Sequence, residues 1–298
     1  MKNYMNQLKK KFYKFAYSNR NPIYKLCTRK KTLSHIFGNA YEITCGEKHF
    51  NVQYEKGIGG IIFDIHGGGY FFGSHMDENH FCHFMHEKTG MTVVSCYYDL
   101  SSESRYPTQI EQIYRTIMTF CEDTGIDTER IFVMGHSAGG NATATVTLLS
   151  QERKEFHVDG EILVYPVLDL ACEPKERPKV DGNTLPNSMM EFFNDMYFEN
   201  KEDAKEPYAS PLLASDEGLK KLPPTYILTC AKDNLRTDGI KYSERLKKVG
   251  VKVHQMEVNE VHGFLESGMY DYYGKSKKES AVAAEEAEKI AQWINTLM

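Results

Sequence analysis

Ser137 stands in Gly135-His136-Ser137-Ala138-Gly139, a G-x-S-x-G pattern. The β-like run Ile131-Phe132-Val133-Met134 precedes it, and a helix-compatible stretch, 141–149, follows. Small residues around a serine at a strand-to-helix junction permit a strained turn that pushes the hydroxyl out of the backbone, as a nucleophile requires. A serine hydroxyl is a weak nucleophile near neutral pH and needs a base to take its proton as it attacks a carbonyl. His262 is the expected base, coming after the strand-like run 251–258 and the short loop Asn259-Glu260-Val261. Asp233, after the run 225–230, is expected to orient the imidazole and to stabilise the imidazolium formed during attack. Upstream, Ile61-Ile62-Phe63-Asp64-Ile65 ends in His66-Gly67-Gly68-Gly69. Glycines let backbone N–H groups approach a developing oxyanion with no Cβ in the way, so Gly67, Gly68 and Ala138 are the expected donors. His66 and Gly69 are expected to hold that loop in shape.

Other residues compete for these roles. Asp238 and Asp169 are rivals of Asp233, but loop aspartates often cap helices, and Asp238 reads as the cap of the helix following Thr237. His75, His80, His83 and His86 are close enough to share one side of a helix, yet no H-E-x-x-H and no cysteine pair accompanies them, and no metal is expected. Tyr70, Phe71 and Phe72 after the glycines, and Phe192, Phe193 and Met196 further on, are candidates to line an apolar substrate pocket. For each singly, ordinary packing is the competing explanation.

The elements needed to position this chemistry are legible in the periodicity. Short β-branched runs alternate with amphipathic segments, which implies crossover units and a mainly parallel sheet flanked by helices. Strands are predicted at 61–65, 92–97, 131–135, 161–165, 225–230 and 251–257, with an antiparallel pair between Tyr41 and Tyr54. Helices are predicted at 77–88, 108–123, 138–151, 237–248 and 278–296. A chain of 298 residues, 41% hydrophobic, can bury one sizeable core, and its net charge of −5 gives no reason to expect nucleic acid as a partner. Seven scattered cysteines with no C-x-x-C read as reduced thiols rather than a disulfide framework. With no secretory h-region and no long apolar stretch, the cytoplasm is the expected location. The segment through Tyr41 carries ten lysines and arginines and no acidic residue. Its basic, partly apolar pattern fits a membrane-surface helix, but a helix docked on the acidic remainder is favoured because the apolar face is short.

The chain resembles the hormone-sensitive-lipase-like esterases of the α/β-hydrolase fold. The matching residues are His66-Gly67-Gly68-Gly69, Gly135-His136-Ser137-Ala138-Gly139-Gly140, Tyr165-Pro166, Ser210-Pro211, Asp233-Asn234-Leu235-Arg236 and His262-Gly263-Phe264, in the family's order. His136 is a departure, since many members carry an acidic residue there. The resemblance implies an α/β-hydrolase catalytic domain over 41–298, with 1–40 and 172–208 forming a small helical cap. It also implies a Ser137-Asp233-His262 triad, no cofactor, and a small ester with a short acyl chain, acetyl to butyryl, as substrate. An aryl-formamide or amide hydrolase is the alternative within the fold, and a non-catalytic ligand receptor the alternative outside catalysis, although such receptors lose the histidine that His262 represents. A homodimer is left open.

Overall fold

The computed structural model describes residues 41–45, 48–52, 58–74, 77–123, 128–273 and 280–298. The segment 1–40, expected as cap or membrane-surface helix, and His75 lie outside the described residues. In chain order the elements are β1 (Tyr41–Cys45), β2 (Lys48–Val52), β3 (Ile61–Ile65), α1 (Asn79–Thr89), β4 (Thr92–Ser95), α2 (Thr108–Asp123), β5 (Ile131–His136), α3 (Ala138–Arg153), β6 (Gly160–Val164), α4 (Asn187–Tyr197), α5 (Asp216–Leu219), β7 (Thr225–Lys232), α6 (Arg236–Lys248), β8 (Val253–Val261), α7 (Phe264–Tyr273) and α8 (Ser280–Asn295). The strands form one sheet in the order β1-β2-β4-β3-β5-β6-β7-β8. β3 to β8 run parallel, and β1 and β2 are added antiparallel at the β4 edge.

Alternation along each strand distributes the side chains between two buried faces. Ile61, Phe63, Ile65, Ile131 and Val133 pack under α2 and α3, and Leu163 and Ile227 continue that face to Tyr242 and Leu246 of α6. Ile62, Phe132, Met134, Ile162 and Leu228 point the other way, onto Phe81 and Met85 of α1, Leu265 of α7 and Ile290 of α8. Both faces being covered explains why these strands read as continuous apolar runs. The cysteines at 82, 96, 121, 172 and 230 are all free.

Three helices, α4, α5 and α7, were not among the ranges predicted from periodicity. α4 lies inside the 172–208 insertion. The predicted loop Asn259-Glu260-Val261 is corrected as well, because β8 continues through it and pairs Val261 with Lys232 past an irregularity in β7. His262 therefore follows the sheet directly.

One buried carboxyl makes the fold sensitive to pH. Glu161 in β6 is fully buried, with one oxygen accepting the Thr225 hydroxyl at 2.9 Å and the other unpaired among the described residues. Burial pushes its carboxyl up to about 8. Its contribution to stability is therefore complete below the ~4.3 of an unfolded glutamate and is lost as pH rises through about 8. Glu161→Gln, which cannot ionise, should melt above the wild type by a margin that widens across that window and is constant beyond it. Thermal melts at a series of pH values check this, and a margin independent of pH would contradict it.

Candidate active site

The turn between β5 and α3 forces Ser137 to φ 55° and ψ −114°, a region that a residue with a side chain occupies only at a cost of order 1–3 kcal/mol. Its surroundings hold it there. The Ser137 N–H donates to Val164 O at 2.9 Å, and its carbonyl accepts from Asn141 N at 3.2 Å and Val167 N at 3.4 Å. Gly139 is needed because α3 starts hard against β3, so that a Cβ there would stand 1.9 Å from Ile65 O.

Three strand ends bring the reacting groups together. The Ser137 hydroxyl lies 2.8 Å from Nε2 of His262, just beyond β8. Nδ1 of the same ring lies 2.7 Å from Oδ2 of Asp233, just beyond β7. The carboxylate fixes the proton on Nδ1 and leaves Nε2 to accept from the serine. Asp233 is almost completely buried, and its other oxygen accepts the Leu235 N–H at 2.9 Å. Tyr165, at φ 36°, packs its ring 4.9 Å from the imidazole.

The rivals of Asp233 are engaged elsewhere. Asp238 is not a cap: it sits inside the first turn of α6, where one oxygen accepts the Leu168 and Asp169 N–H groups and the other takes Arg177 Nη1 at 2.6 Å. This ties Arg177, in the 172–208 insertion, to α6. Asp169 accepts the N–H groups of Ala171 and Cys172 in its own turn. Of the histidine group, His86 Nδ1 lies 2.7 Å from Met91 O and His83 faces Glu87 at 3.5 Å.

The glycine loop requires one correction. The Gly67 N–H donates to Glu78 Oε1 at 3.0 Å, so this expected oxyanion donor is already committed. Among the described residues no protein acceptor takes the N–H of Gly68, Gly69 or Ala138, the last because it opens α3. Gly69, expected only as support, thus has its N–H as open as that of Gly68. His66 is a support: its ring stacks on Tyr98 at 4.2 Å, and the Tyr98 hydroxyl donates to His66 O at 2.8 Å.

Beside Ser137 lies a cavity of about 50 Å³. Tyr70, Phe193 and Met190 line it, together with Val167, Leu185 and Leu235, which the sequence did not single out for a pocket. Phe71, Phe72, Phe192 and Met196, expected in the pocket, do not line it. Phe71 spends its ring on Phe72 and Phe192, at 4.9 and 4.8 Å. Tyr70 is fixed by a stack on Tyr197 at 4.0 Å and a hydrogen bond to Asn141 Oδ1 at 2.7 Å, giving the cavity one rigid wall.

A family model described as the alpha/beta hydrolase fold matches residues 62–266. A putative alpha/beta hydrolase of Acanthamoeba polyphaga mimivirus is 30% identical over 210 residues, 69% of this chain and 61% of that protein, so the chain spans less than two thirds of that relative. An arylesterase of Saccharolobus solfataricus is 31% identical over 214 residues, 70% of this chain and 69% of its own. Among solved structures, an esterase of Pyrobaculum calidifontis superposes with a TM-score of 0.75 at 28% identity, covering 88% of this chain and 86% of that one.

The hydrogen-bond chain predicts the effect of one conservative change. Asn at position 233 can donate to Nδ1 and impose the wrong tautomer, so Asp233→Asn should lower kcat by about 10⁴-fold with little change in KM. Steady-state kinetics on the purified variant check this, and a loss of less than about tenfold would remove Asp233 from the triad.

Proposed function

This chain belongs to the hormone-sensitive-lipase-like family of the α/β-hydrolase superfamily, and from that premise we propose that it is a serine carboxylesterase of short-chain acyl esters. The observation that carries the reading is the unbroken path from Ser137 Oγ through His262 to the buried Asp233, at 2.8 and 2.7 Å, on a strained turn facing a cavity. Ser137 Oγ attacks the ester carbonyl as its proton passes to His262 Nε2. The imidazolium is stabilised by Asp233, and the oxyanion is received by the N–H groups of Gly68, Gly69 and Ala138. His262 then protonates the departing alkoxide, leaving an acyl-serine. Water, deprotonated by the same histidine, releases the acid. Residues 172–208 act in this reading as a cap, since Leu185, Met190 and Phe193 of that segment line the cavity beside Ser137.

The small volume supports the choice of acyl chain. At about 50 Å³ the cavity is well under the ~150 Å³ that takes a benzene ring. Each methylene that fits is worth about 0.8 kcal/mol, roughly fourfold in kcat/KM, and one that does not fit must displace the packed wall. Across p-nitrophenyl esters kcat/KM should rise from acetyl to a maximum near butyryl and fall by octanoyl. A steady rise to long chains would overturn the short-chain assignment. A fluorophosphonate should add covalently at Ser137 and fail to label Ser137→Ala, whereas a receptor without an activated serine would stay unlabelled. Arylamide and formamide substrates in the same panel decide between ester and amide preference.

A further inference from the structure

We propose that Asp64, Glu78 and His136 form a binding site for one divalent metal ion of the zinc class, buried directly behind the nucleophile turn. Asp64 comes from β3, Glu78 from the N-terminal boundary of α1, and His136 from the last position of β5. All three are buried, none more than 3% exposed.

Each of the three has one polar atom held by an outer partner and another that is not. Asp64 Oδ2 accepts the Cys82 thiol at 3.2 Å, Glu78 Oε1 accepts the Gly67 N–H at 3.0 Å, and His136 Nδ1 lies 3.1 Å from Glu266 Oε1. The remaining atoms, Asp64 Oδ1, Glu78 Oε2 and His136 Nε2, have no hydrogen-bond partner among the described residues. They converge, lying within 4.8 Å of one another, with Nε2 3.5 Å from Oδ1 and 3.6 Å from Oε2. Those separations are long for an N–H···O hydrogen bond. They match the edge of a tetrahedron: ligand atoms ~2.0–2.2 Å from a central ion stand about 3.3–3.6 Å apart. One imidazole nitrogen and two carboxylate oxygens are a donor set suited to zinc, with water completing the coordination.

Charge balance supports the same conclusion. Asp64, Glu78 and Glu266 surround a single imidazole beside the Phe81 ring, so even an imidazolium at His136 leaves an excess of buried negative charge. A dication neutralises Asp64 and Glu78 together. His136 is then neutral with Nδ1–H turned to Glu266, the carboxylate–histidine–metal arrangement that fixes a ligand's tautomer. Glu266 is itself held by the Tyr165 hydroxyl. Such an ion would be a positioning centre, not a catalytic one: Glu78 holds the glycine loop through Gly67, and His136 is joined to Ser137 by a peptide bond.

The test is the metal content of the full-length protein, produced in zinc-supplemented medium, passed over a column in EDTA to strip surface ions, and measured by plasma mass spectrometry. About one zinc per chain is expected in the wild type and in Ser137→Ala, which has no activity but an intact cluster. Glu78→Gln and Asp64→Asn, near-isosteric but short of a charged ligand, should each lose that zinc. If either variant fails to fold, the wild type decides alone: refolded with zinc chloride it should melt higher than when refolded with EDTA. Wild-type protein that is folded, holds far less than stoichiometric zinc and melts at one temperature under both refolding conditions would overturn the proposal. The cluster would then be an imidazolium shared among carboxylates. Because Ser137→Ala carries the metal readout without turnover, this result is independent of whether the esterase reading holds.

Discussion

Everything at the catalytic edge depends on Ser137 being kept at φ 55°, a conformation the chain would leave if its neighbours allowed it. The strain is held by backbone, not by side chains that could swing away. β6 fixes the turn through Val164 O, and α3 is pressed against β3 so closely that only glycine fits at position 139. The parallel sheet makes this possible. β5, β7 and β8 run in one direction, so that Ser137, Asp233 and His262 all emerge at the same edge although the last two lie about a hundred residues or more from the first.

The two faces of the sheet serve this edge differently. The α2, α3 and α6 face holds the apolar packing of Ile61, Phe63, Val133, Leu163 and Ile227, with buried polar groups such as Asn141, Glu161 and Asp238 each given hydrogen-bond partners. The α1 and α7 face carries a polar column directly behind the turn: Asp64, Glu78, His136, Tyr165 and Glu266. Buried charge of this kind is costly unless every group is paired or neutralised. The column touches the reacting machinery at two points, Gly67 and the residue preceding Ser137. A change in that column therefore reaches both the glycine loop and the Ser137 turn without altering a residue that lines the cavity.

The meeting of Ser137, His262 and Asp233 was legible because its signals are local: a strand, a turn and a helix at Ser137, and a polar residue after an apolar run at Asp233 and His262. The helix α7 was not, since its aromatic-rich start Phe264-Leu265 and its Tyr270, Tyr272 and Tyr273 give no clear polar face of the kind that makes α8 evident. Gly67 was expected as a donor because a glycine N–H can approach an oxyanion with no Cβ in the way. Which N–H is turned out is decided by Glu78 arriving from α1, a contact no spacing rule contains. The pocket was only half visible for a related reason. Val167, Leu185 and Leu235 come from three separate loops, while Phe71 and Phe192 turn to each other. Asp64 in an otherwise apolar strand and His136 in place of an acid were both readable, and together they would have pointed to the buried cluster.

The most direct measurement is an acid-quenched reaction with p-nitrophenyl acetate, sampled within the first turnover and analysed by peptide mass spectrometry. An acyl-enzyme formed by attack of Ser137 predicts a burst of p-nitrophenol approaching one equivalent per chain, with one acetyl group on the peptide containing Ser137. Turnover with no acetyl on that peptide, and retained by Ser137→Ala, would contradict it.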